Sequence, residues 1–218
     1  MTESERQKKS YTTERKFRTI EPKILYFGTP VALVSSLNED GSTDLAPISS
    51  FWALGWTLIL GLLTETKTAD NMARHRECVV NLPSPEMWRN VEKLAPLTGK
   101  NPVPKLKSKQ FRFEPHKFAA AELTPLASDA VKPARARECP VHMEARVIAL
   151  HQLKGQKLSE LGGGIAAEVE VARVHVADDF VLRDKYIDPA KWSPLIYNFR
   201  HYFRLADQEL GKTFRAEA

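Results

Sequence analysis

The sequence predicts a mainly β protein, an antiparallel barrel with a few short peripheral helices. Three observations predict it. Several apolar runs have strand length, from WTLILGLL at 56–63 to the longer runs at 139–150 and 165–176. Helical spacing is confined to short segments near 69–76, 84–94 and 154–161. No β-α-β alternation is visible, which argues against a doubly wound parallel sheet. No internal repeat is evident either.

Taken in order, residues 21–28 form an apolar burst stopped by Gly28, Thr29 and Pro30, either a short helix or a lead-in loop. Residues 31–37 read as a strand with Val31 and Leu33 on one face and Ala32 and Val34 on the other. Asn38-Glu39-Asp40-Gly41 is a hairpin loop whose glycine can take a positive φ. Residues 42–45 continue as the partner strand. Pro47 cannot donate to a ladder, so regular pairing breaks there or the segment lies at an edge. Residues 46–51 are then free to face something other than a strand. Residues 56–63 suit a strand buried on both faces, with Gly61 marking a bend. Thr68 reads as the N-cap of a short helix over 69–76, with Ala69, Met72 and Ala73 on one side. Residues 78–82 form a short strand ended by Pro83.

Ser84, Pro85 and Glu86 start a second helix, carried by Trp88, Val91 and Leu94 and ended before Pro96. The segment NPVPKLKSK at 101–109 reads as a surface loop, and 123–137 as irregular, proline-broken chain. Residues 139–150 form a long strand with Val141, Met143, Ala145 and Val147 on one face. A short helix at 154–161 is closed by three glycines. In the strand 165–176 the apolar phase switches from Val169 and Val171 to Val174 and Val176, the mark of a β-bulge. Asp178 and Asp179 turn the chain towards an aromatic-rich end over 192–205.

The 218 residues, 43% of them apolar, fit one compact domain with a real core. We expect a flexible polar arm over 1–15 and a single domain over 16–218. Thirty-two basic and 27 acidic residues leave a formal charge of +5, which admits nucleic acid or a small anion as partner. The basic residues are scattered and not interleaved with aromatics on one set of strands, so a nucleic-acid-binding barrel ranks below a small-molecule function. Cys78 and Cys139 sit in no metal-type cluster, so no metal site and a reducing cytoplasm are expected. No apolar run is long enough to span a membrane, and the polar N-terminus lacks the apolar centre of a signal peptide.

The common catalytic signatures are absent. No G-x-G-x-x-G follows a strand, and neither a Walker loop nor a G-x-S-x-G elbow occurs. His142-Met143-Glu144 has the H-x-E shape of a zinc deaminase, but no P-C-x-x-C follows, and we read it as strand. The segment Thr64-Glu65-Thr66-Lys67-Thr68-Ala69-Asp70-Asn71 is more specific. It offers three hydroxyls, an ammonium and a helix start. A phosphate monoester needs donors on several oxygens and a compensating charge, and this segment supplies both. Alone, it reads as a cap and a solvated lysine. Beside the loop 46–51, it reads as one end of a cradle for a phosphorylated aromatic cofactor.

The order of these motifs resembles the flavin reductase-like, FMN-binding split-barrel family. The shared pieces are the strand 30–36, the N-x-D-G turn 38–41, the A-P-x-S-x-F loop 46–51, the K-T-x-x-N segment 67–71 and the V-V-N-L strand 79–82. Looser likeness continues through 128–147 and 168–182. The resemblance implies a split β-barrel, a homodimer, and FMN bound without covalent attachment. By position, Ser49, Ser50 and Phe51 would lie along the isoalloxazine and ribityl chain, while Thr66, Lys67, Thr68 and Asn71 would hold the phosphate. It also implies a nicotinamide dinucleotide or another small-molecule electron donor, and an NAD(P)H-dependent flavin reductase as the activity. An FMN-binding electron-transfer or storage protein shares every binding residue.

The flavin does the redox chemistry in such proteins, so no catalytic residue is named and no acid–base triad is visible. His175 is the histidine nearest a special position, beside the phase switch, and reads as a structural hydrogen-bonding residue. One departure bears on the ring side of the pocket. Where the family often has a proline-containing loop after the phenylalanine, this chain has Trp52-Ala53-Leu54-Gly55-Trp56.

Overall fold

The structure, a computed structural model, describes residues 15–206 and 209–211. The polar arm expected over 1–15 therefore lies, apart from Arg15, outside the described residues. The chain opens with β1 (Phe27–Pro30), β2 (Ala32–Leu37), β3 (Thr43–Ile48), β4 (Phe51–Leu54) and β5 (Thr57–Leu63). Helix α1 (Lys67–His75) leads to β6 (Glu77–Leu82), then α2 (Trp88–Leu94). A crossover follows, made of β7 (Leu97–Thr98), β8 (Arg112–Phe113), α3 (Lys117–Ala120), β9 (Pro125–Leu126) and β10 (Arg135–Ala136). The long strands β11 (Val141–Leu153) and β12 (Gly164–Val176) flank α4 (Gln156–Ser159). Four short strands complete the fold: β13 (Val181–Leu182), β14 (Tyr186–Ile187), β15 (Ile196–Asn198) and β16 (His201–Phe203).

One seven-stranded sheet runs in the order β3-β2-β6-β11-β12-β5-β4, every neighbour antiparallel. Its two edge strands, β3 and β4, are consecutive in the chain and joined only by Ser49 and Ser50. Three Cα steps reach at most about 11 Å. The sheet must therefore curl until its edges nearly meet, and the result is a split β-barrel, as expected. Pro47 sits inside the β3 ladder opposite Leu33, which is tolerated because β3 is an edge strand.

Strand β2 is buried along its whole length because both faces are covered. Ala32 and Val34 join the barrel interior with Leu60, Met72, Val80 and Val169. Val31 and Leu33 join a second core with Val91, Leu94, Phe118 and Leu195. The expected phase switch is a bulge at Ala172: Glu144 opposes Arg173 while Ala145 opposes Val171. A second bulge falls at Ile148 on β11.

Three expectations need correction. The cap of α1 is Thr66, whose Oγ1 accepts from Ala69 N–H at 3.2 Å, so the helix begins two residues earlier than a cap at Thr68 implies. Of the loop expected over 46–51 only Ser49 and Ser50 lie outside strands, since 46–48 belong to β3 and Phe51 opens β4, which is hairpinned onto β5 through Gly55 at φ +59. The second helix opens as a 3-10 turn over Pro85–Met87 before α2. Both cysteines are free and buried, and burial pushes the Cys78 thiol up to about 12. Among the described residues no cluster suited to a metal occurs, and no helix is long and apolar enough to cross a membrane.

Candidate functional site

The seam of the barrel and the start of α1 open onto one cavity of about 360 Å³. Ser49 and Ser50 line it from the link between the two edge strands, and Thr66, Lys67 and Thr68 line it from the helix start. The structure thus brings five of the seven sequence-derived candidates together. Phe51 and Asn71 are not among the lining residues. Phe51 packs partly buried against the barrel core. Asn71 is fully buried, and its Nδ2 donates to Ser36 Oγ at 3.1 Å and to Asn38 Oδ1 at 2.9 Å. Both brace the wall.

The roles within each cluster follow from their hydrogen bonds. Ser50 Oγ donates to the Gly61 carbonyl at 2.7 Å, and Gly61 N–H donates to the Ser50 carbonyl at 2.6 Å. This carries the β4–β5 ladder one pair beyond Phe51 and Leu60, into the link between the edge strands. Thr66 Oγ1 donates to the Leu63 carbonyl at 2.9 Å besides capping Ala69. The first intrahelical bond runs from Asp70 N–H to the Thr66 carbonyl. The N–H groups of Lys67 and Thr68 precede it and have no partner within the helix, which suits an anion.

Lysines ring the same end. Lys67 Nζ lies 2.5 Å from Glu39 Oε2, and Arg74 joins Glu39 at 2.8 Å. The bond from Lys67 is the main reason the Glu39 carboxyl is held at about 2. Lys107 and Lys117 also line the cavity. Lys117 is buried, with Nζ 2.9 Å from Asp44 Oδ1. Burial pushes the Asp44 carboxyl up against the opposing pull of Lys117. Lys107 Nζ donates to the Glu65 carbonyl at 3.1 Å, and burial draws its ammonium down. At Gly99 a Cβ would stand 2.6 Å from Asp44 Oδ1 and 2.9 Å from Lys67 Cγ, so only glycine lets this strand end approach the lysines.

The cavity also has an aromatic lining. Tyr26, Tyr197 and Tyr202 line it, with ring centroids 5.6 Å apart for Tyr26 and Tyr197 and 5.7 Å for Tyr197 and Tyr202. Tyr202 OH donates to Glu92 Oε2 at 3.0 Å. Burial, then the Glu92 carboxylate, pushes this phenol up.

Sequence reading missed Gly99, Lys107, Phe111 and Lys117, all between α2 and β9; of these only Lys107 lies in the stretch 101–109 that reads as surface loop. The lysines of NPVPKLKSK and Gly99 were visible, but only the tertiary fold shows which of them face inward. His175 is not part of the cavity lining. Its Nε2 lies 2.7 Å from Glu144 Oε1 on the far part of the sheet. Trp52 and Trp56 are 57% and 63% exposed and stand outside the cavity too.

The cavity thus gathers the link between the two edge strands, an anion-ready helix start and three tyrosines. The family model described as Flavin reductase like domain matches residues 24–206. The protein YdfE of Bacillus subtilis (strain 168), itself uncharacterised, is 46% identical over 205 residues, covering 93% of this chain and 96% of its own. Among solved structures, flavoredoxin of Desulfovibrio vulgaris (Miyazaki F) superposes with a TM-score of 0.74 at 20% identity, over 92% of this chain and 99% of that one. Nitrilotriacetate monooxygenase component B from Bacillus cereus gives a TM-score of 0.68 at 19% identity, over 96% and 94%. An FMN-binding protein from Thermus thermophilus gives 0.66 at 14% identity, over 91% and 100%. The chain belongs to the flavin reductase-like family.

Proposed function

We propose that this protein is an oxidoreductase that binds FMN non-covalently in the 360 Å³ cavity and serves as an NAD(P)H-dependent flavin reductase. The observation that carries the reading is the convergence of two polar clusters, separate in sequence, on one space lined by an anion-ready helix start and by tyrosines. The volume lies within the usual range of about 300–1,000 Å³ for small-molecule sites. The donor set fits the group. The Thr68 hydroxyl and the N–H groups of Lys67 and Thr68 suit phosphate oxygens, the Thr66 hydroxyl being spent on the Leu63 carbonyl, and Lys67, Lys107 and Lys117 supply positive charge. Bound FMN supplies the ring that accepts and passes on a hydride. The chain's own part is to hold the phosphate at the helix start, to set Ser49 and Ser50 along the ring and ribityl, and to keep water out with the tyrosines. The pocket needs no acid–base triad for this.

A homodimer belongs to the same reading. Strand β4 is an unpaired sheet edge, and Trp52, Leu54 and Trp56 on its hairpin are 57%, 74% and 63% exposed. Such an edge needs a cover, and a second copy supplies one. We also place the protein in the cytoplasm, where two free buried thiols persist.

The absorbance spectrum of the protein as purified tests the cofactor, and release of the chromophore tells FMN from FAD. Mixing with NADH or NADPH under anaerobic conditions tests the activity. A colourless protein that takes up no added FMN rejects the reading. A yellow protein whose flavin neither nicotinamide bleaches supports an electron carrier instead, the alternative favoured by the fold's likeness to flavoredoxin.

A further inference from the structure

Ahead of β1 the chain runs over residues 15–26 without helix or strand. Phe17, Ile20 and Leu25 on this arm are 91%, 73% and 72% exposed. The arm also carries Arg15, Lys16, Arg18 and Lys23 against one carboxylate, Glu21, all of them exposed. Its hydrogen bond to the barrel comes at Tyr26, whose carbonyl accepts from Phe199 N–H at 3.2 Å. From Tyr26 back to Arg15 an extended chain spans up to about 37 Å, more than twice the radius of gyration of about 16 Å expected for a domain of this size. A second bare surface lies on the outside of the barrel. Trp52 pairs with Ile59 and Ile59 with Glu168, while Leu54 pairs with Thr57 and Thr57 with Glu170. These two cross-strand rows share one face of β4, β5 and β12, the other face being turned to the core through Leu58, Leu60 and Val169. Trp52 and Leu54 are 57% and 74% exposed. Glu170 is exposed and makes no ion pair with any described residue, and Glu168 is paired to His151 at 3.0 Å.

Arm and face complement each other. One joins apolar side chains to cations, and the other joins apolar side chains to carboxylates. Within one copy both stay bare, so they do not cover each other in the same chain. We propose that the arm of one copy lies across the outer β4–β5–β12 face of a second copy, and that the exchange is reciprocal. Phe17 and Ile20 seat on Trp52 and Leu54 of the second copy. Arg15, Lys16 and Arg18 reach towards its Glu168 and Glu170, two strand spacings or about 10 Å from the β4 side chains. A two-fold exchange covers both arms and both faces at once and leaves no open surface to recruit a third copy. This contact rests on the homodimer reading and supplies the cover that the β4 hairpin needs.

Sedimentation velocity of the full chain over a range of concentrations reads the contact. Wild type should form dimers whose Kd rises with added salt. Phe17→Asp with Ile20→Asp should raise that Kd about tenfold or more, the scale of one lost apolar anchor. Arg15→Glu with Arg18→Glu should raise it about tenfold, and so, separately, should Glu168→Lys with Glu170→Lys, because each variant sets like charges against each other. Mixing the acidic-arm variant with the lysine-face variant should restore dimers. In the mixed pair the acidic arm meets the lysine face and the native arm meets the native face. A wild-type dimer that none of these variants weakens overturns the contact and leaves the homodimer reading standing. Weakened variants whose mixture stays monomeric overturn the contact too. Wild type that remains monomeric, free in solution or collected on vesicles of anionic lipid, rejects the contact and the homodimer together. Flavin titration of the same samples decides the cofactor reading independently.

Discussion

Ser50 and Gly61 are clasped in both directions, N–H to carbonyl one way and hydroxyl to carbonyl the other, at 2.6 and 2.7 Å. A Cβ at Gly61 would lie 3.0 Å from Ser50 Cβ and 3.2 Å from its carbonyl oxygen. Gly61→Ala should therefore cost about 1–3 kcal/mol in urea unfolding, as overpacking does. It should also lower flavin affinity, because it pushes Ser50 along the cavity wall. Ser50→Ala removes one hydrogen bond and should cost about 1 kcal/mol.

Lys67→Ala should weaken FMN binding more than Lys105→Ala, read by fluorescence quenching of titrated flavin. Of these two lysines, Lys67 alone is among the residues lining the cavity. The same change frees Glu39. Its carboxyl titrates at about 2 in the folded protein against an ordinary 4.5. A depressed carboxyl stabilises above its unfolded value, and that share is lost as pH falls from about 4.5 towards 2. In Lys67→Ala the Glu39 titration followed by NMR should move back up towards 4.5.

Lys117→Ala should be among the most damaging single changes outside the apolar core. It strands the Asp44 carboxylate, 1% exposed, without its partner. Removing one half of a buried pair costs about 3–5 kcal/mol. Asp44→Asn with Lys117→Met should recover much of that stability in denaturant melts, while FMN affinity stays low.

Much of the barrel was legible because strands carry period two. The split of Val31 and Leu33 from Ala32 and Val34 matches two separate cores, and the phase slip in 165–176 is the bulge at Ala172. Strand β4 was not legible, since Phe51 to Leu54 shows no alternation and lies on an exposed edge. Three alternating threonines, 64, 66 and 68, offer equivalent caps, and only the position of Ala69 N–H selects Thr66. Half of the candidate site escaped for a related reason. A lysine in a polar stretch reads as solvated, and the burial of Lys117 depends on Asp44, far away in the chain.

Glu144 pins the loop before β10. Its carboxylate, with no exposed surface, accepts from Asp129 N–H at 3.0 Å, from Ala130 N–H and from His175. Burial alone would raise this carboxyl, but the amides and His175 outweigh it and hold it below the ordinary value. Its stabilising share is present above that ordinary value and lost as pH falls through the lowered one. Glu144→Gln should speed hydrogen exchange at Asp129 and Ala130 selectively and leave the FMN Kd unchanged.

The exposed β4 edge gives a test of assembly. Leu54→Asp should shift the sedimentation of a β4-mediated dimer towards monomer, since it places a charge in the face being covered. An unchanged mass for this variant and for Trp52→Asp would move the interface to another surface.

The strand order β3-β2-β6-β11-β12-β5-β4 has a consequence for synthesis. Both edges of the sheet leave the ribosome within the first third of the chain, tethered by Ser49 and Ser50, while β11 and β12, two of the five strands that lie between them, arrive last. Until then the two halves of the cradle hang from a two-residue tether with nothing to set the distance between them. Chain shortened before residue 141 should thus expose unpaired edges and bind no flavin. The ligand can act only on finished protein, stabilising it after release rather than templating it during translation.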